Sequence, residues 1–346
     1  MNSLSRAKDI DLIKAVAIIC VVFIHVGGIF YAFPVNSFEW NVTLFYGSIV
    51  RAGVPLFLMC SGALLLNPEK KLDIKRLYTH NIPRILAAMF FWGMAYKVWH
   101  MIFGAGITVS GLIQALKELL VFNQEFHFYY LHIILLVYVF LPVTRCFVAS
   151  APKRLVEYAL VIWFAFGILY PTVNSFWPFT LLSGMTPQYL INMTYASIGY
   201  GVFGWYLKKY PISVKISAAA AILGFLTVFF GTYFLSLRYM YLNELFFSGM
   251  TVGTFMLASG IYGLCVKMGD KLPEPATIVS RFMSKASFCI YLVHMFAVYL
   301  LEGLGITSYG GPPIITIPVI SFAVIAISVA VYAVISRIPV LKNWII

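Results

Sequence analysis

Residues 10–31 read IDLIKAVAIICVVFIHVGGIFY, a run of 22 in which only Asp11, Lys14 and His25 carry a charge or an imidazole. About 20 predominantly apolar residues in a helix cross the hydrocarbon of a bilayer. In lipid every backbone N–H and C=O must be paired within the structure, and barrel strands would alternate apolar with polar residues, which these do not. The run therefore reads as a helical crossing. The rest of the chain repeats the pattern: 62% of its 346 residues are hydrophobic and only 10% are charged, a balance that no soluble surface of that size tolerates. The fold class is all-α, a polytopic integral membrane protein. About ten crossings are expected, at roughly 10–31, 44–66, 80–102, 128–149, 155–170, 189–207, 214–235, 245–266, 286–304 and 313–336.

Loop charge tests this layout, because cytoplasmic loops are rich in Lys and Arg. With the N-terminus inside, 20 of the 24 basic residues fall on inner loops and tails, from Arg6, Lys8 and Lys14 to Arg337 and Lys342. Lys117 and Arg238 fall in outer loops, and Arg51 and Lys97 within or at the edge of crossings. Both ends are thus expected in the cytoplasm. The net charge of +12 is spread over the inner segments rather than gathered in a patch, so nucleic acid is not an expected partner and membrane lipid is.

The five cysteines (Cys20, Cys60, Cys146, Cys265 and Cys289) show no paired metal-type spacing and read as small packing residues; no metal is expected. The first apolar run carries Asp11, Lys14 and His25 and leads into further crossings, which argues against a cleaved signal peptide. With no low-complexity stretch and no obvious repeat, residues 1–346 are expected to form one membrane domain.

Function is sought among the polar residues that the bilayer makes costly. His25 follows Lys14 by eleven residues, three helical turns plus about 20°. Asp11, Lys14 and His25 therefore share one stripe, with Lys14 at the inner mouth and His25 about 16 Å above it. Such a stripe can line a path. The alternative makes Asp11 and Lys14 a juxtamembrane ion pair and His25 a hydrogen-bonded packing residue. Arg51 opens the second crossing in RAGVPLFLMCSG and His127 the fourth in EFHFYYLH, both near the depth of His25. A cation and two imidazoles at one level suit acid/base work on a hydroxyl and stabilisation of an oxyanion. Taken singly, Arg51 can snorkel and His127 can join an interfacial aromatic belt.

These residues carry a family resemblance. DLIKAVAIICVVFIH resembles the first helix of the acyltransferase-3 family of membrane acyltransferases, whose signature is a basic residue, ten residues, then His, here Lys14 and His25. VPLFLMCSGALLL is similar to the family's Pro-Leu-Phe-Phe-Met-x-Ser-Gly segment through Pro55, Leu56, Phe57, Met59, Ser61 and Gly62. HFYYLHIILLVYVFLP resembles its His-Leu-Trp-Phe-Leu segment through His127 and Leu131, and SFCIYLVH its Ser-Phe-x-Ile-Tyr-Leu-x-His segment from Ser287 to His294. The four run in family order. Departures are Lys rather than Arg at position 14, Phe128-Tyr129 after His127, and an Arg-x-x-Arg motif reduced to Asn81–Arg84.

The resemblance implies transfer of an acyl group, acetyl or sometimes succinyl, from cytoplasmic acyl-CoA (acetyl-CoA foremost) to a hydroxyl of a glycan or lipid-linked sugar at the outer face of a bacterial cytoplasmic membrane. On that basis Lys14, with Arg76 and Arg84 standing in for the reduced motif, is expected to meet the phosphates of coenzyme A, and Asp11 to orient Lys14. His25 would be the general base, or a transiently acylated relay, with Arg51 and His127 positioning the acceptor or steadying the oxyanion. Ser61, Tyr129 and His294 are further candidates for substrate contact, although a mid-helix His294 is as often a structural hydrogen-bonder. Lys97 reads as snorkelling at the outer interface, Glu125 as either orienting an imidazole or facing water, and Trp177 with Phe176 and Phe179 as interface anchors. The rival class is an exporter or flippase of a polysaccharide or its lipid-linked precursor. No paired broken helices are apparent in corresponding halves to support it.

Overall fold

The computed structural model describes residues 8–104, 106–186 and 191–346, and at 193–196 the backbone alone. The described residues form helices joined by short turns: α1 (Lys8–Val26), α2 (Phe38–Ile49), α3 (Gly53–Leu65), α4 (Ile74–Arg76), α5 (Ile82–Ile102), α6 (Val109–Leu120), α7 (Tyr129–Ser150), α8 (Lys153–Phe164) and α9 (Tyr170–Val173). They continue with α10 (Met193–Lys209), α11 (Val214–Tyr239), α12 (Val252–Met268), α13 (Glu274–Gly303), α14 (Pro313–Ile335) and α15 (Pro339–Trp344). No strand occurs among the described residues. Nine helical segments are long and apolar enough to cross a bilayer. The expected crossing at 189–207 begins outside the described residues, and its described part is the 17-residue α10.

Three expected crossings are broken, the fifth in the chain by a π-turn at Ala165–Leu169 between α8 and α9. The second is two helices, α2 and α3, meeting in a turn at Val50–Ala52 that carries Arg51. The third begins as α4, passes through a π-turn at Leu77–Asn81 and straightens into α5 with Pro83 in its first turn, where the missing N–H costs nothing. Helix α6 lies between crossings, and its Lys117–Glu118 region is tied back to α5 by an ion pair between Lys97 and Glu118. Lys97 therefore reaches a partner rather than simply snorkelling. Lys97 and Gln114 hold the Glu118 carboxyl below its ordinary range.

Burial sorts the helices. Those of α1, α3, α12 and α13 are mostly inside, whereas α11 presents Ile222, Leu223, Leu226, Phe230 and Phe234 outward. An apolar exterior of this kind is what lipid requires. At one end of the bundle Asp9, at the start of α1, pairs with Lys208 at the end of α10, and Arg84, at the start of α5, donates to the main-chain oxygen of Ile346. The foot of α1 and the last residues of the chain therefore lie at the same end of the bundle.

Close backbone approach fixes α3 against α10. A Cβ placed on Gly62 would sit 1.8 Å from the Gly201 carbonyl oxygen, and one on Gly204 would sit 2.2 Å from that of Met59. In lipid such small-residue contacts supply packing that hydrophobic burial cannot. Gly62→Val is expected to cost at least the ~1–3 kcal/mol typical of overpacking, because the opposing atoms are backbone and cannot rotate away. The midpoint of thermal unfolding in detergent would fall accordingly.

Candidate functional site

Helix α1 feeds two chambers rather than one continuous path. Lys14 borders an inner cavity of about 350 Å³ with Ser61, Asn81, Arg84, Tyr130 and Ser287. His25 borders an outer cavity of about 230 Å³ with Arg51, His127, Tyr129, Tyr200 and Tyr291. The stripe arithmetic thus holds for the helix, while the expectation of a single track is corrected: bulky side chains of α7 and α13 separate the two levels. His25 also touches a third cavity of about 70 Å³ beside Glu302, Ser308 and Tyr31.

The outer chamber gathers residues from α1, the α2–α3 turn, α7 and the turn before it, α10 and α13. The turn between α2 and α3 carries Arg51, whose guanidinium carbon lies 3.7 Å from the centre of the Phe247 ring and whose Nε donates to the Gly47 carbonyl at 3.1 Å. Stacking and that bond fix the plane of the guanidinium. His127 sits on the 3₁₀ turn Phe126–Phe128 that leads into α7, and it is fully buried, which removes it from an interfacial belt. From α13 comes Tyr291, and His294, one turn on, packs against the two lining imidazoles without itself bordering the chamber. Ring centres are 5.0 Å apart for His25 and His294, 5.1 Å for His127 and His294, and 6.1 Å for His25 and His127.

Hydrogen bonding settles one tautomer. His294 Nδ1 lies 2.8 Å from the carbonyl oxygen of Tyr291 and 3.2 Å from that of Ile290; both can only accept, so Nδ1 carries the hydrogen and Nε2 bears the lone pair. That Nε2, and both ring nitrogens of His127, are buried with no protein partner among the described residues. Buried polar atoms left this way are rare and mark places where a ligand or solvent is handled. No group of His, Cys, Asp and Glu among the described residues is arranged to hold a metal.

The inner chamber is basic but smaller in membership than the sequence suggests. Lys14 and Arg84 face it; the π-turn before α5 brings Asn81 in as well. Arg76 does not join them. It stands exposed in the turn capped by Asp73, whose carboxylate accepts the Arg76 backbone N–H at 2.9 Å. Asp11 is buried near the foot of α1, where Asp9 pairs with Lys208. Ser61 borders the chamber, its hydroxyl donating to the Phe57 carbonyl one turn back at 2.9 Å. Glu125 does orient an imidazole, but that of His100 at 2.8 Å rather than His127. Trp177 is exposed and Phe176 packs against Phe246.

Sequence reasoning missed Tyr291, the floor of the outer chamber; Phe247, the plate beneath Arg51; and Glu302 near His25. Only Tyr291 left a signal: it lies three residues before His294, on the same face of α13.

A many-crossing membrane protein with stacked polar chambers, one basic and one lined by imidazoles and a guanidinium, is thereby defined. The family model for an acyltransferase domain matches residues 8–333, nearly the whole chain, and the chain belongs to that family of membrane acyltransferases. No curated protein and no solved structure matches it.

Proposed function

We propose that the protein is a membrane O-acyltransferase, an O-acetyltransferase in particular, that moves an acyl group from cytoplasmic acyl-CoA to a hydroxyl of a cell-surface glycan or lipid-linked sugar on the outer side of a bacterial cytoplasmic membrane. One observation carries this reading. A single helix delivers Lys14 to a chamber shared with Arg84 and His25 to a chamber shared with Arg51 and His127.

Each chamber suits one half of the reaction. In the inner one, Lys14 and Arg84 offer the charge that phosphate oxygens need, and Asn81 and Ser61 add neutral donors. In the outer one, His25 takes the proton from the acceptor hydroxyl as its oxygen attacks the thioester carbonyl carbon. The Arg51 guanidinium faces the negative charge that grows on the carbonyl oxygen. Collapse then breaks the C–S bond, the new ester stays with the acceptor, and the thiolate takes up a proton and leaves as free CoA. His127 and Tyr129 orient the acceptor.

The test is a donor labelled separately in its acyl group and in its CoA, supplied to purified protein in vesicles with surface glycan on the other side. Acyl label in the glycan with one free CoA per ester supports the reading; recovery of intact thioester beyond the membrane would make the protein a carrier. Lys14→Ala is expected to raise the KM for acyl-CoA roughly 10–100-fold, the ~1.5–3 kcal/mol of one charged hydrogen bond, with a smaller effect on kcat. An unchanged KM would remove Lys14 from the donor site.

A further inference from the structure

Tyr291 stands where the two chambers meet. Among the described residues that line them, it alone borders both. Its side chain is 4% exposed, and its ring centre lies 5.5 Å from that of Tyr130, 6.0 Å from His127 and 6.1 Å from His294. Phe57, 5.8 Å from Tyr130, continues the partition on the inner side.

The same residue makes two specific bonds. Its hydroxyl donates to the main-chain oxygen of His127, and its own carbonyl accepts the Nδ1–H of His294. Tyr291 therefore fixes the backbone under one imidazole and the tautomer of another while filling the space between them. Neither phosphate binding below nor hydroxyl activation above calls for an aromatic wall at that level. Water does. A thioester reacts with water as well as with an alcohol, and the outer chamber lies on the side where the acceptor arrives from an aqueous phase; exclusion of water from a reactive intermediate is a recognised task of active-site walls.

Resting on the acyltransferase reading, we infer that Tyr291 is the partition that couples thioester cleavage to the acceptor, keeping outer-chamber water from the acyl-CoA carbonyl until the acceptor fills the space beside His25 and Arg51, and that it is also the positioning residue for His127 and His294. In the uncoupled reaction a water oxygen attacks the carbonyl carbon. The C–S bond breaks, CoA leaves as its thiol with the proton, and the free acid is released, so no further reactant is needed.

The experiment measures thiol release from acetyl-CoA by the full-length protein in vesicles without any acceptor, alongside acetyl-CoA binding. Tyr291→Ala is expected to release thiol at least about tenfold faster than the unmodified protein, equivalent to ~1.4 kcal/mol of lost barrier. Tyr291→Phe, which keeps the ring and loses only the bond to His127, is expected to stay within about threefold in this assay while its transfer to glycan falls about tenfold. Should Tyr291→Ala fail to bind acetyl-CoA through misfolding, Tyr291→Leu opens the same wall with less lost volume and carries the same expectation. Variants that bind acetyl-CoA and release thiol no faster than the unmodified protein overturn the partition. An unmodified protein that cleaves no acetyl-CoA even with glycan present overturns instead the acyltransferase reading beneath it.

Discussion

His25→Ala is expected to lower acyl transfer by about 10²–10⁴-fold, the range for loss of a positioned general base, while acyl-CoA affinity stays within about twofold. The expectation follows from place. The ring of His25 borders the outer chamber and a smaller neighbouring cavity, not the basic one, so on the proposed reading it would meet the acceptor rather than the phosphates. Its neighbours add to the case: His127 and His294 lie at 5–6 Å, and the proposed role of these three rings is toward a hydroxyl rather than a phosphate. Steady-state kinetics with acyl-CoA binding measured in parallel decides it. If the variant transfers at the full rate, His25 is a packing residue and the chemistry lies elsewhere.

The second large effect concerns Arg51. Arg51→Ala is expected to reduce kcat by about 10²–10³-fold, as removal of a preorganised oxyanion donor does, with a much smaller change in KM. Arg51→Lys is expected to recover little of this, because the guanidinium is held flat against Phe247 and bonded to Gly47 in a way a lysine ammonium cannot copy. Phe247→Leu should then produce a milder version of the same kcat loss, since it removes the plate but keeps the charge. A rise in KM at constant kcat for Arg51→Ala would reassign the residue to ground-state binding of the acceptor.

Much of the architecture was legible before any coordinates. Apolar runs located nine of the ten expected crossings among the described residues, because lipid leaves a chain few ways to satisfy its backbone. The eleven-residue separation of Lys14 and His25 gave their shared face, because α1 is a regular helix throughout. What the pattern could not supply is where neighbouring side chains intrude. Tyr291 shares a face of α13 with His294, but nothing in that spacing tells that its ring divides the path. Arg76 looked equivalent to Arg84, yet a π-turn between them changes the helical register and turns only Arg84 and Asn81 inward. Glu125 lay close to His127 in the chain but serves His100, a choice made by the approach of α5 to the loop before α7.

The central placement of α1 has a consequence for biosynthesis. The helices that enclose it include α12, α13 and α14, made more than two hundred residues after it. At ordinary elongation rates, on the order of tens of seconds pass before those partners emerge. During that interval the foot of α1, with Asp9 awaiting Lys208, must be sheltered by the insertion machinery or by lipid headgroups. Chains that stall before the ninth crossing would expose a polar stripe to hydrocarbon, a ready mark for quality-control proteolysis.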